Sequence, residues 1–441
     1  MLTDTIVALA SAPGRSALAV LRLSGDGAFQ VASRVIRDFV PEPVRTARLA
    51  EFGGPDNRAI DRGLYLTFTA PRSYTGQDQV ELTCHGGLLV TSQLLAAAVA
   101  AGARQALPGE FTRRAVLNGK LDLLQAEAVG DLIDATATVQ ARTALRQLEG
   151  GLSRRLVALR ERFVELLALL GYEVDFPDED DGPISRDQLV GHLARVTEEV
   201  ERLVATAPMG ERLREGALVV FAGRPNAGKS SLFNALLGTD RALVTEIPGT
   251  TRDTIEAHSE VDGWPVRLAD TAGIWDAPAR LDQLGIAVSR RYLAAADLIL
   301  LCVESGAEVL DEERRILADR PSLLVRTKAD VAPIAGPGVA VSIVTGQGIP
   351  ALREAMVSRL FGEREQYADL EPLLTRERHR AALGRALEQL RDAAPHLEPE
   401  GDPVLAAHHV HAAVHAVDEL VGTVGVEEVL ERIFSRFCVG K

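Results

Sequence analysis

The chain has 441 residues, enough for about three domains at roughly 150 residues each. Hydrophobic residues make up 46% and charged residues 25%, a globular balance that excludes a disordered chain. The net charge of −14 argues against a nucleic-acid binder that relies on charge alone, and 3 widely spaced cysteines exclude a disulfide framework or a zinc site. That cysteine usage fits a reduced, cytosolic setting. The opening "MLTDTIVALASAPGR" has no basic n-region ahead of an apolar run, and the longest apolar stretches fall far short of a membrane span.

Residues 1–118 predict a mixed α+β domain. "TIVALAS", "SALAVLRLSG", "GLYLTF" and "QVELTC" are short, β-rich and bounded by turn formers. "GLLVTSQLLAAAVAAG" then has helical periodicity and stops at Gly102. Residues 119–216 are nearly all helix formers, with apolar positions recurring at threes and fours from Leu121 through Leu124, Ala128 and Leu132. An acidic turn, "PDEDDGP", separates them from the amphipathic "RDQLVGHLARVTEEVERLVATA". Six arginines between 142 and 162 face two glutamates, a solvated helix face or a contact for RNA phosphate.

From Ala217 strand runs alternate with helices to residue 362: "ALVVFAG", "PVRLADT", "DLILLCVE", "SLLVRTK" and "GVAVSIV". That alternation predicts a parallel α/β sheet with right-handed crossovers. Residues 363–441 are helical again. The architecture expected is an N-terminal α+β domain, an all-α domain made of two separated segments, and an α/β domain inserted between them.

The inserted domain carries the chemistry. "GRPNAGKSS" fits G-x-x-x-x-G-K-[ST] between a strand and a helix, so backbone amides of Asn226, Ala227 and Gly228 cradle phosphate at a helix N-terminus. Lys229 reaches the terminal phosphates, and Ser230, followed by Ser231, binds Mg2+. "DTAG" follows a strand: Asp270 holds the Mg2+ shell, and Thr271, Ala272 and Gly273 face the γ-phosphate. Between them "VTEIPGTTRD" (Thr245, Glu246, Ile247, Pro248, Gly249, Thr250, Thr251) is a loop able to close over metal and phosphate, with Thr251 a metal ligand. "TKAD" selects the base. The Asp330 carboxylate accepts from both edge donors of guanine, which adenine lacks, and Lys328 packs its stem along the ring. Thr327 stands where GTPases carry Asn, and Ser342-Ile343 replaces the Ser-Ala box. On these motifs a switch-only GTPase of ribosome assembly or signalling remains open.

The chain resembles the MnmE (TrmE) family of tRNA-modification GTPases along nearly its whole length. The stretches that carry it are the phosphate loop, "PGTTRD", "DTAGI", "PGEFTRRAVLNGKLDLLQAEAVGDLIDA", "VDFPDED" and the tail "RIFSRFCVGK". The resemblance implies a Ras-like P-loop domain and a cytoplasmic homodimer that hydrolyses GTP with Mg2+ and K+. It implies an N-terminal tetrahydrofolate-binding domain, taking the 5,10-methylene or 5-formyl form at Arg22, Glu81 and Lys120. It also implies a complex with the FAD-containing protein MnmG that adds an aminomethyl-type group to C5 of the wobble uridine of certain tRNAs. K+ would be held by Asn226, Thr245, Ile247 and Thr250. Ile274 stands where Ras-like proteins use a water-orienting Gln, and the family's catalytic Glu corresponds to Asp282 here, one methylene shorter. In the tail, Cys438 matches a candidate catalytic thiol and Lys441 a folate contact, on an amphipathic segment that docks by Val426, Val429, Ile433 and Phe437.

Overall fold

The structure is a computed structural model that describes residues 3–41, 46–54, 58–175, 185–239, 256–270, 291–333, 336–362, 373–422, 433, 437, 439 and 440. The chain divides into two compact units, Met1–Gly130 with Asp418–Lys441, and Asp131–Val417. Residues 119–130 and 418–441, expected in the helical domain, group with the N-terminal residues.

The first unit is built on six strands: β1 Ile6–Leu9, β2 Leu18–Ser24, β3 Arg48–Gly53, β4 Ala59–Phe68, β5 Gln79–His85 and β6 Arg104–Gln105. Their order is β3-β4-β5-β2-β1-β6, antiparallel except for the parallel β1–β6 pair. Alternation sends Val7, Leu21, Leu23, Val80 and Leu82 to one face. There they pack against α1 (Ala28–Val35) and α2 (Leu88–Ala100), which ends before Gly102 at φ 114°. The opposite face carries Arg22, Ser24, Gln79 and Glu81, joined by the pairings Arg22↔Glu81 and Ser24↔Gln79. α3 (Glu110–Leu117) is anchored by Arg114, 1% exposed. Its guanidinium donates to the Asp4 carboxylate at 2.7 Å, to Glu110 at 2.9 Å and to Gln77 at 3.1 Å. A buried cation survives only with such partners, which explains the arginine inside "PGEFTRRAVL". α4 (Leu123–Asp134) follows.

The tail is seated on this unit. Val439 forms an antiparallel bridge with Pro108. Gly440, at φ 105°, lies so close to β1 that a Cβ there would stand 2.2 Å from the Leu9 carbonyl oxygen. Phe437 and Ile433 pack against Leu123, Ala126 and Val116. The Phe437 ring also faces Gly130, where a Cβ would lie 3.2 Å from its Cζ. Of the four docking positions expected, Ile433 and Phe437 dock; Val426 and Val429 lie outside the described residues.

In the second unit α5 (Thr138–Leu148), α6 (Gly151–Asp175), α7 (Arg186–Ala205) and α8 (Ala207–Glu215) precede the α/β domain. Ser185 caps α7 reciprocally with Gln188. The α/β domain contains β7 (Ala217–Ala222), α9 (Lys229–Thr239), β8 (Glu256–Val261), β9 (Trp264–Asp270), β10 (Leu298–Glu304), α10 (Asp311–Asp319), β11 (Ser322–Thr327), β12 (Val339–Ala340) and α11 (Ile349–Phe361). α12 (Glu377–Ala393) and α13 (Pro403–Val421) come after it. α12 returns to lie along α7, with Arg391 and Glu201 paired at 2.7 Å, so helices on either side of the insertion share one bundle.

The second sheet runs β12-β11-β10-β7-β9-β8. Its first five strands are parallel, as the alternation predicted, but β8 joins β9 antiparallel. "GVAVSIV" shortens to the two residues of β12, because the chain turns away after Ala340 to form the loop around Ser342.

Candidate functional site

β7 is buried at all six positions and delivers the chain into the phosphate loop. Gly223 has φ 133°, and a Cβ there would stand 2.2 Å from the Cys302 carbonyl oxygen in neighbouring β10. Only glycine lets the two strands approach this closely. Asn226 takes the left-handed conformation at φ 64°, which Asn tolerates better than most side chains. The Lys229 ammonium is folded over the loop, donating to the carbonyls of Gly223 at 2.9 Å and Arg224 at 2.7 Å. Ser230 and Ser231 open α9 on its exposed side. These residues line an open cavity of about 910 Å³ that also reaches Lys328 and Glu313.

Asp270 ends β9 and pairs in register with Phe221 of β7, which sets it beside the phosphate loop. The Thr327 hydroxyl, buried, donates to the Ala227 carbonyl at 2.8 Å. Lys328, at φ 56°, forms an ion pair with Glu304. Asp330 is exposed. Ser342 is buried: its amide donates to the Gln347 carbonyl at 3.0 Å and its hydroxyl accepts from the Thr345 amide. Ile343 is half-exposed beside it.

One clamp had no sequence signal. Arg224, inside the loop, pairs with Glu313 of α10 at 2.8 Å and donates to the Glu308 carbonyl. The Arg224 hydrogen bonds hold the Glu313 carboxyl below the usual glutamate range, more than offsetting its burial. "DEERR" reads as an ordinary acidic helix start, so nothing local marks Glu313 as a partner of the loop.

The first unit holds the second cluster. Arg22 Nε donates to Glu81 Oε1 at 2.9 Å, Gln79 Nε2 donates to the same oxygen at 3.0 Å, and the Arg22 guanidinium stands 5.4 Å from the Tyr74 ring centroid. The sheet register, Arg22↔Glu81, makes these two residues a pair. The Lys120 ammonium donates to the Pro71 carbonyl at 3.1 Å, and its stem lies against Gly76, on the loop that also carries Tyr74. Thr245, Glu246, Ile247, Pro248, Gly249, Thr250, Thr251, Thr271, Ala272, Gly273, Asp282, Cys438 and Lys441 lie outside the described residues.

Residues 5–120 match the family model for the GTP-binding protein TrmE N-terminus, and residues 123–438 match that for the MnmE helical domain. The chain belongs to the MnmE family. A tRNA modification GTPase MnmE of Moorella thermoacetica is 42% identical over 465 residues, covering 100% of both chains. Its counterpart in Chloroflexus aurantiacus is 42% identical over 456 residues with the same coverage. That of Akkermansia muciniphila is 38% identical over 443 residues, covering 99% of each. MnmE relatives thus span both units, and the likeness is not confined to the phosphate loop. Among the described residues no helix is long and apolar enough to cross a membrane.

Proposed function

We propose that this chain hydrolyses GTP and uses the cycle to drive modification of the wobble uridine of certain tRNAs. The observation that carries this is a phosphate loop of the required strand–loop–helix geometry in a chain related over its full length to tRNA modification GTPases. Lys229 meets the terminal phosphates once it leaves the Gly223 and Arg224 carbonyls. Ser230, Thr251 and Asp270 suit an Mg2+ shell of hard oxygen donors. Asn226, Thr245, Ile247 and Thr250 are the proposed K+ ligands, and a cation there would supply positive charge to the transferring phosphoryl group. Asp282 is assigned the positioning of water, and Asp330 the guanine.

The first unit is assigned a tetrahydrofolate derivative. Glu81 is oriented by two donors, Arg22 and Gln79, and keeps its other oxygen for ring N–H groups. Arg22 acts through Glu81 in this reading, while Lys120 and Lys441 remain for the carboxylates of the folate tail. The Val439–Pro108 bridge seats the tail on this unit, and Cys438 is assigned as the thiol that acts there. Leu18, Leu49 and Leu64 are exposed on the same sheet face as Glu81, which supports a homodimer formed there. The complex with MnmG, an FAD protein, and a cytoplasmic location complete the proposal. Mass spectrometry of wobble uridine from cells lacking the protein tests it: the modified base should disappear and return on complementation. Unchanged modification in the deletion would refute the assignment.

A further inference from the structure

The phosphate loop is pinned at three points along its length. At its start, Gly223 lies against the Cys302 carbonyl of β10, too close for any Cβ. Towards its end, the Ala227 carbonyl accepts from the buried Thr327 hydroxyl at 2.8 Å. Arg224 stands between them. Its carbonyl accepts from the Lys229 ammonium at 2.7 Å and from the Ala227 amide at 3.3 Å. The next residue is Pro225, whose nitrogen carries no hydrogen, so the peptide bearing this carbonyl has no N–H by which to be anchored. The Arg224 side chain supplies an anchor instead.

Its partner is Glu313. Arg224 Nε donates to Glu313 Oε1 at 2.8 Å and Arg224 Nη2 donates to Oε2 at 2.9 Å, the two-pronged geometry that holds a guanidinium in one orientation. Nη2 also donates to the Glu308 carbonyl. Glu313 is 6% exposed, and its Oε2 accepts from the Leu310 amide at 2.9 Å, which sets its own rotamer. Behind it, α10 is seated by Ile316 and Leu317 on Ala222, Ile299, Leu301 and Val303 of the sheet. The connection ahead of α10 is tied down by buried Arg326, which donates to the Ala307 carbonyl at 2.6 Å. A carboxylate desolvated this far is destabilising unless its partner stays in place. Every part of the brace therefore favours one position for Arg224.

We propose that Glu313 is a positioning residue for GTP hydrolysis, acting through Arg224 to hold the phosphate loop in its working shape. When Lys229 turns from the Arg224 carbonyl to the terminal phosphates, the loop loses the bond that the ammonium supplied there. The brace keeps that carbonyl, and the amides that follow it, where they stood before. Fixed donors count most where charge develops in the transition state, because donors that must rearrange stabilise it less. This deepens the GTPase reading and rests on it. It assigns no contact between Glu313 and the nucleotide.

The test is steady-state GTP hydrolysis by the full-length protein with Mg2+ and K+. Glu313→Gln and Arg224→Gln should each lower kcat about tenfold, a smaller loss than the ~100-fold of a ~1 Å misplacement. Affinity for a fluorescent GDP analogue should stay within about threefold, because Gly223 and the Thr327 bond still pin both ends of the loop. The double variant should be no slower than the slower single one, since the two side chains act as a unit. A merely structural brace would lower the melting temperature and leave kcat of the folded protein at the wild-type value, and that result would overturn the proposal. So would losses that multiply in the double variant. A loss confined to Arg224→Gln would also overturn it, by making the arginine a phosphate contact independent of Glu313. Arg224→Lys keeps the charge but cannot form both bonds, so its kcat should fall as well; it carries the test if Arg224→Gln does not fold. A wild-type protein that binds no guanine nucleotide would instead sink the GTPase reading, and the proposal with it.

Discussion

The Thr327 hydroxyl donates to the Ala227 carbonyl across 100 residues of sequence, at 2.8 Å. This bond ties the guanine loop to the phosphate loop, and both groups are buried. The Thr in place of Asn therefore preserves a bridge rather than leaving a gap. Thr327→Val removes the donor while keeping the shape. A neutral buried hydrogen bond contributes ~1 kcal/mol, so guanine-nucleotide affinity should fall about fivefold. A fluorescent-nucleotide titration reads it directly, and an unchanged dissociation constant would show that the bridge is irrelevant to binding.

The Arg224–Glu313 pair makes the α/β domain acid-sensitive. Glu313 has a folded pKa below its ordinary value of 4.5, chiefly through the Arg224 hydrogen bonds. A depressed carboxyl contributes stability that is fully present above the ordinary value and is lost as pH falls through the folded one. Glu313→Gln should lower the melting temperature at neutral pH. The gap from wild type should close as acid titrates Glu313 in the native protein. Parallel melting curves down to about pH 3 would contradict this.

Cys84 and Cys302 should resist iodoacetamide at about pH 8 for as long as the protein stays folded. Their thiols are raised to about 11 and about 12, with burial the largest cause in each. Both should become labelled together with loss of structure in denaturant. Labelling of either under native conditions would mean that its strand opens far more readily than a core strand should.

Gly440→Ala places a methyl group 2.2 Å from the Leu9 oxygen, in a backbone conformation that suits glycine. The tail must then lift from β1. If Cys438 acts from the docked tail, tRNA modification should drop by about 100-fold, the effect of a ~1 Å misplacement. GTP hydrolysis should remain near wild type. Equal losses in both activities would point to a general folding defect.

The sequence made the phosphate machinery legible because its parts are local: a strand run, a glycine-rich loop and a helix start lie within 23 residues, 217–239. Strand runs rich in Val, Ile and Leu were equally visible. β8 was not, because "EAHSEV" is mostly polar and becomes a strand only through pairing with β9. β3 escaped for the same reason, its residues gaining their place from β4. The Arg22–Glu81 pair needed the register of two strands 59 positions apart. Motif reading cannot supply a register, so it named both residues and missed that one holds the other.

Leu9 and Gly440 meet in the finished protein, yet a ribosome makes one long before the other. At roughly 5–20 residues per second, the intervening ~430 residues take about 20–90 s to synthesise. Through that interval the Leu9 carbonyl has emerged and the residues that cover it have not. Residues 131–417 are contiguous and can collapse around the nucleotide site as they appear. A chain released early would carry the nucleotide site while its first unit still lacked the residues that cover the Leu9 carbonyl, an incomplete fold of the kind that cellular quality control removes.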